Sequence, residues 1–235
     1  MLSFLGSEIL RTIAYVDGYN LFFGCLKSTP YKWLDLVRLI ETILHVQDPG
    51  SELVQVKYFT APIKARLASR REEAAEAQQT YHRALTARGR LSIFEGRYSL
   101  EKAYAPVYKQ PADKLDRVAI WRLEEKETDV AIALQLYRDS IQGLCEQVVL
   151  VSSDSDLSPA LKLVRQDAPA IRLGIILPRS EPNEGAVAQR RPASGTLSDL
   201  ADWTRKEIKL AELRACQLPN RVGTLKKPAD KPSYW

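Results

Sequence analysis

Apolar runs of strand length and apolar positions at helical spacing alternate along most of this chain. Thr12-Ile13-Ala14-Tyr15-Val16 is a compact apolar run, strand-like, halted by Asp17-Gly18-Tyr19-Asn20. Leu34, Val37, Ile40, Ile43 and Leu44 recur at three- and four-residue spacing, which predicts a crossover helix closed by the turn signal Asp48-Pro49-Gly50. Val54, Val56 and Tyr58 alternate with Gln55 and Lys57, a second strand ending near Thr60. Residues 63–88, rich in Ala, Arg, Glu and Gln, predict a long charged surface helix, and residues 91–95 a third short strand. Residues 96–117 are polar, aromatic and interrupted by Pro106 and Pro111, and read as a long irregular connection with a strand over 118–123 at its end.

From Glu124 a helical pattern is expected, with Val130, Ala133, Leu134 and Tyr137 on one side. The run 147–151 is a fully buried strand, followed by a helix through Leu161, Leu163 and Val164, and 170–177 is the last convincing strand. A Pro/Gly/Arg-rich loop spans 178–195, and Thr196 or Ser198 caps a final helix using Leu197, Leu200, Ala201 and Ile208. Strands alternating with helices predict an α/β sandwich whose central sheet is mostly parallel and covered on both faces.

Composition refines this picture in two places. Apolar content of 45% and charged content of 27% over 235 residues are globular values. The net charge of +5 is carried by residues 205–235, which hold eight Lys/Arg against three acids. A basic, flexible C-terminal tail over 208–235 is therefore expected, leaving a domain over 1–207. Such a tail would favour polyanions by a screened, sequence-blind attraction. Three scattered cysteines (Cys25, Cys145, Cys216), no signal peptide and no run of ~20 apolar residues predict a reduced, cytoplasmic protein with no membrane contact.

Acids stand where a parallel sheet gathers its ligands, outside the carboxyl ends of its strands. Asp17 follows the first strand, Asp154 and Asp156 follow the run Val148-Val149-Leu150-Val151, and Asp129 lies early in the helix before it. Carboxylates against apolar runs are costly unless a cation or proton neutralises them. Hard oxygen donors of this kind suit Mg²⁺ or Mn²⁺, and such a set serves phosphoryl transfer. The competing reading of each single Asp is a helix cap or a turn.

Other chemistries fit less well. Only His45 and His82 are available as bases for a serine or cysteine hydrolase, and both fall within helical patterns. No G-x-x-x-x-G-K-S/T or G-x-G-x-x-G loop is present. Tyr19 occupies the place where a haloacid-dehalogenase-type phosphatase has its second Asp. A metal-dependent adhesion motif at Asp154-Ser155-Asp156-Leu157-Ser158 would leave Asp17 and Asp129 unexplained.

Tyr15-Val16-Asp17-Gly18-Tyr19-Asn20-Leu21, Glu125-Lys126-Glu127-Thr128-Asp129-Val130-Ala131-Ile132-Ala133 and Val151-Ser152-Ser153-Asp154-Ser155-Asp156-Leu157-Ser158-Pro159 together resemble the NYN branch of the PIN-like nucleases, over roughly residues 11–205. The resemblance implies a PIN-like, Rossmannoid three-layer sandwich and a Mg²⁺- or Mn²⁺-dependent ribonuclease that cuts RNA through an activated water. It carries the acidic site over to Asp17, Asp129, Asp154 and Asp156. Asn20 then orients Asp17 or the scissile phosphate, Lys126 contacts a phosphate, Ser152 donates a hydrogen bond near the metal, and Glu125 is an outer ligand candidate. Ser153 stands where the family has Gly, so strain is expected if that position needs positive φ. Ala131 stands where many relatives have Asn.

The expected partner is RNA, single-stranded or structured, with room for a homodimer or a regulatory protein. Tyr98, Tyr104, Tyr108 and Trp121 with Arg97, Lys102 and Lys109 suit base stacking and phosphate contact on a single strand. The alternative is a non-catalytic RNA-binding module that retains the fold.

Overall fold

The structure, a computed structural model, describes residues 9–27, 29–111, 113–179 and 195–235. Six strands form one all-parallel sheet in the order β3-β2-β1-β6-β7-β8. They are β1 (Leu10–Asp17), β2 (Ser51–Thr60), β3 (Leu91–Glu95), β6 (Gln147–Val151), β7 (Arg172–Ile176) and β8 (Trp203–Arg205). The order runs outward in both directions from the β1–β6 pair, so the chain reverses its march there. That junction is the topological switch point of an open α/β sheet, where a crevice opens at the carboxyl edge.

Both faces of the sheet are covered, as the near-continuous apolar strands require. On β1, Ala14 and Val16 face one core while Ile13 and Tyr15 face the other, a consequence of the two-residue period of a strand. The first core is closed by α2 (Leu36–Gln47) and α3 (Arg71–Ala87), the second by α4 (Thr128–Ile141) and α5 (Ser158–Asp167). Asp35 caps α2 by accepting from the Arg38 amide at 3.2 Å, and Leu36, Val37, Leu39, Ile40, Ile43 and Leu44 form its buried stripe. The result is a three-layer α/β sandwich.

Four expectations change. Residues 96–117 are not a long irregular connection: the strand expected over 118–123 is present as β5 (Arg117–Lys126), and it pairs with β4 (Arg97–Pro106) in a long antiparallel ribbon separate from the main sheet. The helix expected from Glu124 begins at Thr128, because 124–126 complete β5. The final helix is replaced by a short turn of helix α6 (Gly195–Ser198) and the edge strand β8, too short to show a period. Most of the 178–195 loop lies outside the described residues.

The fourth change concerns the C-terminus. Residues 208–235 are not a flexible tail but part of the first core. After α7 (Leu210–Ala215), the chain forms a small ribbon from β9 (Arg221–Val222) and β10 (Ala229–Asp230). Ile208, Leu213, Leu218, Val222 and Ala229 are buried among the residues of α2 and α3. The Trp33 indole donates to the Pro219 carbonyl at 2.8 Å, and Trp235 packs edge-on against Trp33 and Tyr81 with centroids 6.1 and 5.6 Å away. The basic side chains project outward from a segment anchored by apolar ones. Trp235→Ala is expected to lower stability by about 2 kcal/mol through lost area and ring contacts, measured by urea unfolding. A midpoint unchanged within error would show that the terminus does not hold the fold.

Among the described residues, no helix is long and apolar enough to cross a membrane.

Candidate active site

The acids gather at the carboxyl edge of the β1–β6 pair. Val16 and Val151 are partners across that pair, so Asp17 and the Ser152–Asp156 segment emerge side by side from adjacent strands. Asp17 is 2% exposed and caps a single turn of helix, α1 (Gly18–Leu21). Its carboxylate accepts from the Asn20 amide at 2.9 Å, from Asn20 Nδ2 at 2.6 Å and from Ser152 Oγ at 2.9 Å. Three donors on one carboxylate hold it in one orientation. Gly18 is needed here because a Cβ would come within 2.8 Å of the Phe59 carbonyl and the Tyr58 ring.

Ser152 is fully buried and works in two directions. Its hydroxyl donates to Asp17 and accepts the Asp154 amide at 3.1 Å, tying the end of β6 to the end of β1. The Ser153 hydroxyl donates to Asn20 Oδ1 at 2.8 Å, so Asn20 is fixed at both ends of its amide. Ser153 does not have positive φ; the expected strain is absent there. It appears instead at Glu127, with φ of +78°, where β5 turns sharply into α4. Asp154 caps a single 3₁₀ turn (Ser155–Leu157) by accepting from the Asp156 amide at 2.9 Å. Its carboxylate thus serves a cap and faces the cluster at once.

Asp129 enters from the opposite side, in the first turn of α4, where an acid is favoured by the helix dipole. Its carboxyl is pushed up to about 6, first by loss of surrounding water and then by the charges of Asp17, Asp154 and Asp156. Those three acids therefore lie close enough to act on it. Four carboxylates form an all-oxygen donor set, the chemistry of a hard divalent cation. Among the described residues, no three Asp, Glu, His or Cys side chains already converge as a metal cage. Asp129 and Asp156 are the exposed members.

Because the folded-state value of Asp129 lies above the unfolded one, the folded protein binds more protons between pH ~4 and about 6. This residue favours the fold at the acid end of that window, and its contribution is lost as pH rises through about 6. A cation bound among the acids offsets that loss, so Mn²⁺ is expected to raise the melting temperature more at pH 7.5 than at pH 5. Thermal melts with Mn²⁺ or EDTA at the two pH values measure it; an equal shift at both would speak against a cation held by Asp129.

The remaining expected contacts stand at the edge of the site. Lys126 lies in β5 and is held by Glu124 at 2.7 Å, which raises its pKa. Arg97 starts β4 and pairs with Glu127 at 2.6 Å. Arg97 and Lys126 are partners at one end of the ribbon, the end that leads into Asp129, with their charges partly neutralised locally. The Glu125 side chain lies outside the described residues. Of the two histidines, His82 lies within 3.5 Å of Glu95, and burial lowers its pKa; His45 is exposed on α2.

One buried network had no signature in the sequence. Lys57 on β2 is paired with Asp139 on α4, the Tyr15 hydroxyl donates to Asp139 at 2.6 Å, and Lys57 reaches Gln135 Oε1 at 3.2 Å. It ties α4, which carries Asp129, to the two strands behind Asp17.

Known proteins bear on this geometry. The chain is 39% identical over 250 residues to 6-hydroxy-3-succinoylpyridine 3-monooxygenase HspA of Pseudomonas putida (strain DSM 28022 / S16), an alignment spanning 98% of this chain and 77% of that protein. A crystal structure of a protein of unknown function from Vibrio parahaemolyticus RIMD 2210633 superposes with a TM-score of 0.49 at 19% identity, over 87% of this chain and 96% of the other. The NYN domain model matches residues 11–188, the span that contains every acid of the cluster, and the chain belongs to the NYN family of the PIN-like nuclease superfamily.

Proposed function

We propose that this protein is a divalent-metal-dependent ribonuclease, with Asp17, Asp129, Asp154 and Asp156 as its acidic centre. The observation that carries the reading is the gathering of acids at the sheet's switch point: Asp17 and the Ser152–Asp156 segment leave adjacent strands side by side, and the Asp129 carboxyl is pushed up to about 6, first by loss of surrounding water and then by the charges of Asp17, Asp154 and Asp156. Asp17, Asp129, Asp154 and Asp156 would hold Mg²⁺ or Mn²⁺, which when bound would supply water activation and offset charge on a phosphodiester. The chain's own groups supply the positioning. Asn20 and Ser152 hold the Asp17 carboxylate in place, and Ser153 holds Asn20. Lys126 and Arg97 flank the entrance as cations for a phosphate, each released from its acid partner when RNA arrives. Three free, buried cysteines fit a cytoplasmic setting.

A second reading rests on one observation, the 39% identity to a protein named as a monooxygenase of 6-hydroxy-3-succinoylpyridine. On that reading the chain would place one atom of O₂ on a hydroxypyridine. The other atom would leave as water, at the expense of two electrons from a reduced nicotinamide or flavin. One experiment separates the two. Purified protein is given single-stranded and structured RNA with Mn²⁺ or EDTA, and separately 6-hydroxy-3-succinoylpyridine with NADH or reduced flavin under O₂. Cleavage of RNA that EDTA abolishes supports the nuclease. Oxygen uptake coupled to loss of the pyridine, with RNA intact, overturns it.

A further inference from the structure

The β4–β5 ribbon is built unlike the rest of the molecule. Ten residue pairs, from Arg97↔Lys126 to Pro106↔Arg117, join the two strands to each other, and neither pairs with the main sheet. The strand period sorts its side chains. One face carries Tyr98, Leu100, Lys102 and Tyr104 from β4, with Leu123, Trp121 and Arg117 from β5. Trp121 is 65% exposed and Tyr104 51%, on the most solvent-accessible stretch of the ribbon. A two-stranded ribbon with large rings in water is marginal by itself, so this face calls for an occupant.

Three features of the face select that occupant. Its exposed groups are aromatic rings interleaved with cations. Lys102 stands directly opposite Trp121, and its ammonium lies 5.5 Å from the Tyr104 ring centroid. Successive residues on one face of a strand repeat every ~6.6 Å, on the order of the step between nucleotides of an extended single strand. The ribbon is also rooted at Arg97 and Lys126, immediately before α4 and Asp129, so a strand lying along it leads into the acids. An apolar protein partner would need none of these: it would be served by aliphatic groups and by any position along the chain.

We propose that this face seats the single-stranded segment of the nucleic acid that flanks the cleaved bond. Trp121 and Tyr104 stack successive bases, and Lys102 meets the phosphate between them. The inference rests on the nuclease reading and names how that site takes its substrate. Stacking on a ring tolerates any base, so the ribbon selects unpaired strands rather than a sequence.

The test is fluorescence anisotropy of a 5′-labelled U-rich RNA 12-mer, and of the matching DNA and a hairpin RNA, with the full chain in EDTA. Trp121→Ala and Tyr104→Ala are each expected to weaken binding of the single strand on the order of tenfold. Trp121→Phe, which keeps a ring, stays close to wild type, whereas Trp121→Leu, which keeps apolar bulk without a π face, binds like the Ala variant. Equal affinity of wild type and Trp121→Ala, no binding by wild type, or Leu and Phe serving equally well would each overturn the proposal. So would a wild-type dimer in sedimentation that Trp121→Ala dissociates while RNA affinity stays unchanged, since the face would then join two copies. Loss of binding in the ribbon variants with no cleavage by any protein in Mn²⁺ would uphold the ribbon and sink the nuclease reading alone.

Discussion

Asp17→Asn is expected to reduce RNA cleavage at least ~10³-fold while leaving the protein folded. Asp17 is buried at the end of β1, and its two oxygens take up donors from Asn20 and Ser152. Asparagine has the same shape and remains a good helix cap, so α1 keeps its start. What changes is charge. One oxygen becomes an NH₂ that meets the Asn20 amide donor to donor, at a stability cost of ~1–3 kcal/mol. The site also loses one of the charges that raise Asp129, so the carboxyl of Asp129 should fall back toward the usual carboxylate range. Multiple-turnover cleavage with Mn²⁺ and an NMR titration of Asp129 read the two effects separately. A variant that retains more than a tenth of wild-type cleavage would remove Asp17 from the catalytic centre.

Lys57→Met should be the most damaging single change to the fold. Lys57 and Asp139 form a buried pair, and the Tyr15 hydroxyl completes it. With Lys57 gone, Asp139 keeps Tyr15 and a distant Arg138 guanidinium at 3.7 Å, while its Oδ1 already lacks a hydrogen bond. Removing one partner of a buried pair costs ~3–5 kcal/mol. For a chain of this size that is on the order of 10 °C in melting temperature. The triple change Lys57→Met, Asp139→Leu, Tyr15→Phe removes the charges and the hydroxyl together and should recover most of the loss. Urea unfolding of the single and triple variants decides it; a loss below 1 kcal/mol for Lys57→Met would mean the pair is not an anchor. The pair also has a bearing on function, because Tyr15 lies two residues before Asp17 and Asp139 shares a helix with Asp129.

The strands were legible wherever both faces are buried, since 12–16 and 147–151 are continuous apolar runs that few other structures explain. Asp17 and Asp154 were legible for the same reason: a carboxylate at or just after such a run stands at a strand end. Lys57 was not. It alternates with Val56 and Tyr58 and so reads as outward-facing, yet in a sheet covered on both sides the alternate positions are also buried. The ribbon was hidden by its charges and prolines, which diluted a two-residue period never anchored by burial. Its pairing is a contact between segments up to 29 residues apart, and no local signal reports it.

Charge misled at the other end. Eight cations over the last residues suggest a solvated tail, but the apolar positions between them are spaced irregularly, at 213, 218, 222 and 229. Only a surface already formed by Trp33, α2 and Tyr81 gives them something to cover.

By itself, then, the sequence determined the parallel α/β sheet and the strand-end placement of Asp17 and Asp154, because burial period and strand-end chemistry are local properties of the chain. Tertiary structure alone decided that Asp17 is seated by Asn20 and Ser152, that Asp129 is raised by burial and by three neighbouring charges, and that Tyr98, Tyr104 and Trp121 share one face of the ribbon. Each depends on through-space distance between segments far apart in the chain, and hydrogen bonds, Coulomb interactions and stacking all act over that distance rather than along the sequence.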